Sequence, residues 1–175
     1  MPDWDPSGVS ERAMELLDSN GDELLSGDEL TKSPGLLAGL DVIDTDDDQN
    51  VSAAEIIARF EHYEQLKLGL RGREFRVTYK GRPLANANVK LVPEPFLEGV
   101  IEPATGITRP DGIVYPNAGV DGLPGLRPGY YRIEVTSDKV KLPAKYNTET
   151  ILGAEVSPGH DDPSPFSPKP VNLTD

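Results

Sequence analysis

The sequence contains no cysteine, which excludes a disulfide framework and any thiolate metal centre. Histidine is almost as scarce, with only His62 and His160. No zinc-helix motif, nucleophile elbow or phosphate loop is present. His62 falls on a predicted helix, where a surface position explains it. His160 lies beside Asp161 and Asp162 in a proline-rich tail, where solvation explains it. No apolar run approaches the roughly 20 residues that span a bilayer, so no transmembrane segment is expected. The start, Met1 to Asp5, lacks the basic and apolar stretches of a secretory leader. That leaves a cytoplasmic protein, or an exported one whose leader has been removed.

Basic residues are few where acidic ones are many. Residues 1–72 hold 17 Asp and Glu against 5 Lys and Arg, whereas residues 73–175 hold 13 against 12. A net charge of −13 concentrated in one part of the chain argues against nucleic acid, which needs a basic face. It suits cations, or solubility alone. The composition break predicts two domains, 1–72 and 73–175, joined by a short linker, 68–72. The 17 Gly and 17 Pro favour a turn-rich, β-rich part.

Two acidic segments, 18–29 and 44–55, share one spacing. A twelve-residue calcium loop places side-chain oxygens at positions one, three and five, a backbone carbonyl at seven, an oxygen or water at nine, and a two-oxygen Glu at twelve. The first segment offers Asp18, Asn20, Asp22, Leu24, Ser26 and Glu29 in that order. The second offers Asp44, Asp46, Asp48, Asn50, Ser52 and Glu55. Calcium takes 6–8 oxygens, and short alternating acids let a tight loop aim them inward. The apolar residues at position eight, Leu25 and Val51, are expected to pair in a short strand ladder.

Helical spacing flanks these loops. Val9, Ala13, Leu16 and Leu17 share a face, with Ser10 as a candidate N-cap. Ile56, Ile57, Phe60 and Tyr63 predict a longer helix over 53–67. Ser33-Pro34-Gly35 breaks the chain between the loops, which leaves room for two short helices or turns.

Over residues 9–66 the chain resembles the EF-hand family, which implies two bound Ca²⁺ ions. It departs from that family at loop position six, usually Gly, where Glu23 and Gln49 stand. A side chain at φ > 0 costs about 1–2 kcal/mol, so affinity in the weak range of about 10⁻⁴–10⁻³ M is expected. Methionine is scarce, with Met14 the one besides Met1. A structural role is therefore expected rather than a Met-rich sensor groove.

From Arg73 onward the pattern alternates with period two. Segments 74–79, 87–92, 113–115, 130–135, 150–156 and 170–173 read as strands between turn signals, which predicts an antiparallel β-sandwich. The fold class expected is α+β, a helical loop pair followed by that sandwich. Gly81-Arg82-Pro83-Leu84-Ala85-Asn86-Ala87-Asn88-Val89, Thr108-Arg109-Pro110-Asp111-Gly112 and Gly125-Leu126-Arg127-Pro128-Gly129-Tyr130-Tyr131 resemble signatures of transthyretin-like, carboxypeptidase regulatory-like domains. The pairing with a calcium-loop domain resembles secreted proteins of planctomycete-type bacteria, which implies an exported location. Hydroxyisourate hydrolases of the transthyretin-like group end in Tyr-Arg-Gly-Ser, whereas this chain ends Val-Asn-Leu-Thr-Asp. No enzyme activity is therefore expected. Glu134 and Glu155 read as solvated strand-face acids. Lys80 or Lys90 could be considered for an isopeptide bond to an asparagine. Tyr79, Tyr115, Tyr130 and Tyr131 raise a carbohydrate partner, although strand tyrosines commonly pack. The loop 94–99, with Phe96 and Leu97, is the expected contact for a protein partner. The leading expectation is a calcium-binding protein with a binding or adhesion module. An enzyme, an enzyme accessory domain and a calcium sensor are the alternatives.

Overall fold

Asp5, not Ser10, caps the first helix. Its carboxylate accepts the Gly8 amide at 3.2 Å, and Pro6 takes the first turn, where its missing N–H costs nothing. Helix α1 runs Pro6–Leu17. Ser10 is buried inside it, and its hydroxyl donates to the Ala53 carbonyl at 3.0 Å. Val9, Ala13 and Leu17 are buried as expected, but Leu16 is 56% exposed. The buried stripe turns toward Ser10 and leaves Leu16 at its rim. The structure, a computed structural model, describes residues 2, 4–67, 69–157 and 167–175. His160, Asp161, Asp162 and Leu68 lie outside the described residues.

The chain continues through strand β1 (Leu24–Leu25), helices α2 (Gly27–Thr31), α3 (Pro34–Ala38) and α4 (Leu40–Ile43), and strand β2 (Val51–Ser52). Pro34 ends one helix and begins the next, since its ring suits a first turn and disfavours an interior. β1 and β2 pair antiparallel with Leu25 opposite Val51, as the position-eight pattern predicts. Helix α5 (Ala53–Leu66) buries Ile56, Phe60 and Tyr63, and also Arg59. His62 on α5 is half-buried rather than on the open surface.

The remaining strands form two four-stranded sheets, so the protein is α+β. In the first sheet, β3 (Phe75–Tyr79) pairs with β10 (Lys169–Leu173) on one edge. On the other edge it pairs with β4 (Arg82–Pro83) and β7 (Ile113–Val114). The β10–β3 pair is parallel, a departure from an all-antiparallel arrangement. The second sheet, antiparallel throughout, has the order β6 (Ala104–Ile107), β5 (Ala87–Pro93), β8 (Gly129–Ser137), β9 (Gly153–Val156). Strand β6 carries no clear alternation, because Gly106 interrupts it where the Val114 side chain and Tyr115 carbonyl approach. At Lys80-Gly81 both residues have positive φ, the signature of a tight hairpin turn. Asn86 also sits at φ 56°, in the region glycine favours. Thr108 ties the turn before β5 to the chain leaving β6. Its buried hydroxyl accepts the Ala87 amide at 2.8 Å and donates to the Leu84 carbonyl at 2.6 Å.

One apolar cluster runs through both the helical and the sheet-bearing halves. Trp4, Phe60 and Tyr63 stack within 5.5 Å of one another, and Phe60 meets Tyr130 of β8 at 6.1 Å. Phe96 and Leu97, expected in an exposed loop, form a buried single turn against α1, where Phe96 approaches Tyr130 at 6.4 Å. Covering this turn removes it as an open partner surface. The Arg12 Nε donates to the Phe96 carbonyl at 3.1 Å. Glu155 is likewise not a solvated strand acid. It is 3% exposed and receives Arg59 Nη2 at 2.6 Å and the Tyr63 hydroxyl. Burial opposes the Arg59 charge, but the facing Tyr63, Glu155 and Tyr130 outweigh it and hold the guanidinium protonated. Glu134 does lie at the surface, 3.8 Å from Lys90. Lys80 pairs with Asp175 at 2.6 Å, so neither lysine is paired with an asparagine in these contacts. Tyr130 and Tyr131 are buried in the core, while Tyr115 is 53% exposed under the Arg109 guanidinium.

Candidate metal centre

The two acidic segments fold alike at positions one, five, six and twelve. Position-one carboxylates organise each turn. Asp18 Oδ1 accepts the Gly21 amide at 2.7 Å, and its Oδ2 accepts the Glu23 amide at 3.1 Å. Asp44 Oδ1 accepts the Asp48 amide at 3.2 Å, and its Oδ2 accepts the Gln49 amide at 2.8 Å. The position-six residues Glu23 and Gln49 both have φ 66°, so the left-handed backbone expected there is present without glycine. Position-five acids bond two residues on. Asp22 Oδ1 accepts the Leu24 amide at 3.0 Å, and Asp48 Oδ1 accepts the Asn50 amide at 2.8 Å. These short-range bonds are the reason Asp and Asn suit such turns.

The closing glutamates occupy matching places at the start of α2 and α5. Glu29 is buried. Its Oε1 accepts the Ser19 amide at 2.8 Å and hydroxyl at 3.1 Å, and its Oε2 accepts the Ser26 amide at 3.2 Å. Glu55 Oε1 accepts the Thr45 amide at 2.8 Å and hydroxyl at 3.2 Å, and its Oε2 accepts the Ser52 amide at 2.8 Å and hydroxyl at 2.9 Å. Ser19 and Thr45 stand at position two, a role the ligand pattern did not indicate. Both are hydroxyl residues at the same offset, a signal visible in the sequence.

These bonds set the charge state of the glutamates. The Ser19 and Ser26 amides hold the Glu29 carboxyl below its ordinary range. For Glu55, burial pushes upward, but the Ser52 and Thr45 amides outweigh it and the net shift is downward. Asp46 is pushed up, first by desolvation and then by the charges of Asp48, Glu55 and Asp44. The second loop therefore holds mutually repelling carboxylates.

Asp18, Asp22 and Glu29 each bring an oxygen into one group, with all three atoms within 4.8 Å of one another. Asp44, Asp46 and Glu55 do the same in the second loop. Asp48 stays outside that second triad of oxygens. Asn20 bridges Asp22 through two bonds of 2.9 Å, at its carbonyl and its amide. Ser26 and Ser52 lie beside the closing glutamates, Leu24 pairs with Ser52 in the β1–β2 ladder, and Asn50 directly precedes β2. All these donors are hard oxygens, the type that hard divalent cations take and softer metals do not require. The chain matches no protein-family model, no curated protein and no solved structure.

Proposed function

We propose that the chain binds two Ca²⁺ ions, one in each loop, in an EF-hand pair. The observation that carries this reading is the repeat of one loop geometry in two segments. In both, the position-six amide meets the position-one carboxylate, position six has φ 66°, and the position-twelve glutamate sits on the first turn of a helix. The competing explanation is that each glutamate only caps its helix, the Ser-to-Glu reciprocity being a capping box. Capping explains Ser26 with Glu29 and Ser52 with Glu55. It does not explain why two further carboxylates converge within 4.8 Å of each glutamate.

The donors fit the ion. Asp18, Asn20, Asp22, Leu24, Ser26 and Glu29 would hold the first, and Asp44, Asp46, Asp48, Asn50, Ser52 and Glu55 the second. Calcium suits such flexible, oxygen-rich sites better than Mg²⁺, which demands near-octahedral geometry and keeps its waters. The φ > 0 cost at Glu23 and Gln49 supports an affinity in the weak range, about 10⁻⁴–10⁻³ M. The role is structural stabilisation in a non-enzymatic, exported protein. Its sheet-bearing half is a transthyretin-like β-sandwich that presents loops to a protein or carbohydrate partner. The burial of Phe96 moves that contact away from loop 94–99. The alternation of the strands and the two sheets sharing one apolar cluster support the sandwich reading.

Titration calorimetry of chelator-stripped protein with Ca²⁺, repeated with Glu29→Gln and Glu55→Gln, tests the reading. Two sites are expected, each lost with its own glutamate. No saturable heat at millimolar Ca²⁺ would sink it, and a sub-micromolar Kd would sink the weak-affinity argument.

A further inference from the structure

We infer that the sheet-bearing half is the internal partner of the helix pair, and that its docking is coupled to cation loading of the second loop through α5. This inference rests on the calcium reading above.

Helix α5 joins the two events. Glu55 closes the loop from its first turn, through Thr45 and Ser52. Arg59 and Tyr63 follow at successive four-residue steps, which place them along the same stripe of the helix. Both reach the buried carboxylate of Glu155 on β9. A cation ligand and an interface latch therefore lie one helical turn apart on a single rigid element. The other side of the loop is clamped too. Helices α3 and α4 lead into Asp44, and the Gly35 amide of α3 donates to Glu94 Oε1 at 2.6 Å. Glu94 is fully buried and pairs with Arg132 Nε at 2.9 Å. Both segments flanking the second loop are thus fixed to the sheet-bearing half by buried carboxylates.

The interface is shaped for close approach of backbones. A side chain at Gly153 of β9 would place its Cβ 1.9 Å from the Pro34 carbonyl oxygen, and one at Gly35 would meet the Tyr131 backbone nitrogen at 2.7 Å. The apolar face of the helix pair is filled from within the chain, by Tyr130 against Phe60 and by the Phe96 turn against α1. What loading can change is how firmly this internal partner is held. Ordering the loop orders the end of α4 and the start of α5, which flank it. By reciprocity, docking raises cation affinity by the same factor that the cation raises docking.

Gly153→Val is the test, because it wedges the interface without touching either loop. Its backbone φ is not in the left-handed region, so the strand itself accepts a valine. Calorimetry with Ca²⁺ alone is run on wild type and variant. Hydrogen exchange is read at Gly35 in the interface, with Val89 of β5 as the reporter of an intact sheet core. The coupling predicts affinity at the second site about five-fold or more weaker in Gly153→Val, the lower end of usual coupling factors. It also predicts slower Gly35 exchange in Ca²⁺-loaded than in stripped wild type. If the variant fails to protect Val89, the wild-type exchange comparison decides alone. Two calcium sites with unchanged Gly35 exchange and unchanged affinity in the variant would overturn the coupling and leave calcium binding standing. No saturable binding to wild type would overturn both.

Discussion

Replacing Arg59 with methionine is expected to cost about 3–5 kcal/mol of folding stability, the range for stranding one member of a buried ion pair. Glu155 is 3% exposed and Arg59 8%. Two guanidinium nitrogens reach the same carboxylate oxygen, Nε at 2.8 Å and Nη2 at 2.6 Å, and the Tyr63 hydroxyl donates to it as well. Methionine keeps most of the packing of the arginine stem, so the loss is mainly in charge compensation. The remaining carboxylate must stay charged away from water, or take up a proton. Set against a total stability of about 5–15 kcal/mol, this is a large loss. For a chain of this size it lowers Tm by about 6–20 °C. Urea denaturation followed by circular dichroism, at fixed Ca²⁺, measures it. Arg59→Met combined with Glu155→Gln removes the stranded charge and keeps an acceptor for Tyr63. The double variant should recover at least about 1 kcal/mol of the single variant's loss. A single-variant loss below about 1 kcal/mol, the behaviour of a surface pair, with no recovery in the double variant, would refute the buried-latch argument.

Burial raises the Glu94 carboxyl above its ordinary 4.5, against the opposing pull of the Gly35 amide and Arg132. The folded state therefore binds that proton more readily than the unfolded state does. The stabilisation is fully present below about pH 4.5 and is lost as pH rises through the raised folded value. Relative to Glu94→Gln, the wild type should lose stability over that rise, and a difference independent of pH from 4 to 8 would contradict it. Phe96→Ala should cost about 3–5 kcal/mol, as for a buried aromatic, and a loss within about 0.5 kcal/mol would mean the side chain is exposed after all. Glu23→Gly and Gln49→Gly should each tighten Ca²⁺ binding about five- to thirty-fold by relieving the φ 66° strain. Unchanged affinity in calorimetry would show that the strain is not what sets it.

The local features were legible in sequence because short-range chemistry produces them. Loop spacing, the Leu25–Val51 pair, the break at Pro34 and most strands follow from side-chain period, turn residues and bonds spanning two to five positions. Asp5 escaped as the N-cap because Ser10 offers the same chemistry nearer the apolar stripe. Strand β6 escaped because its glycine hides the alternation.

What the sequence by itself determined is the pair of acidic loops, the α+β class and the absence of thiol chemistry. Only the tertiary structure decided that Glu155, Arg59, Glu94 and Phe96 belong to a buried interface. A charged or aromatic residue on a strand or loop looks solvated until the element that covers it is placed. The hydrogen-bond donor and the charge partner of Glu155, Tyr63 and Arg59, lie 92 and 96 residues away. No periodicity along the chain encodes a contact at that separation, because it depends on how the two halves pack.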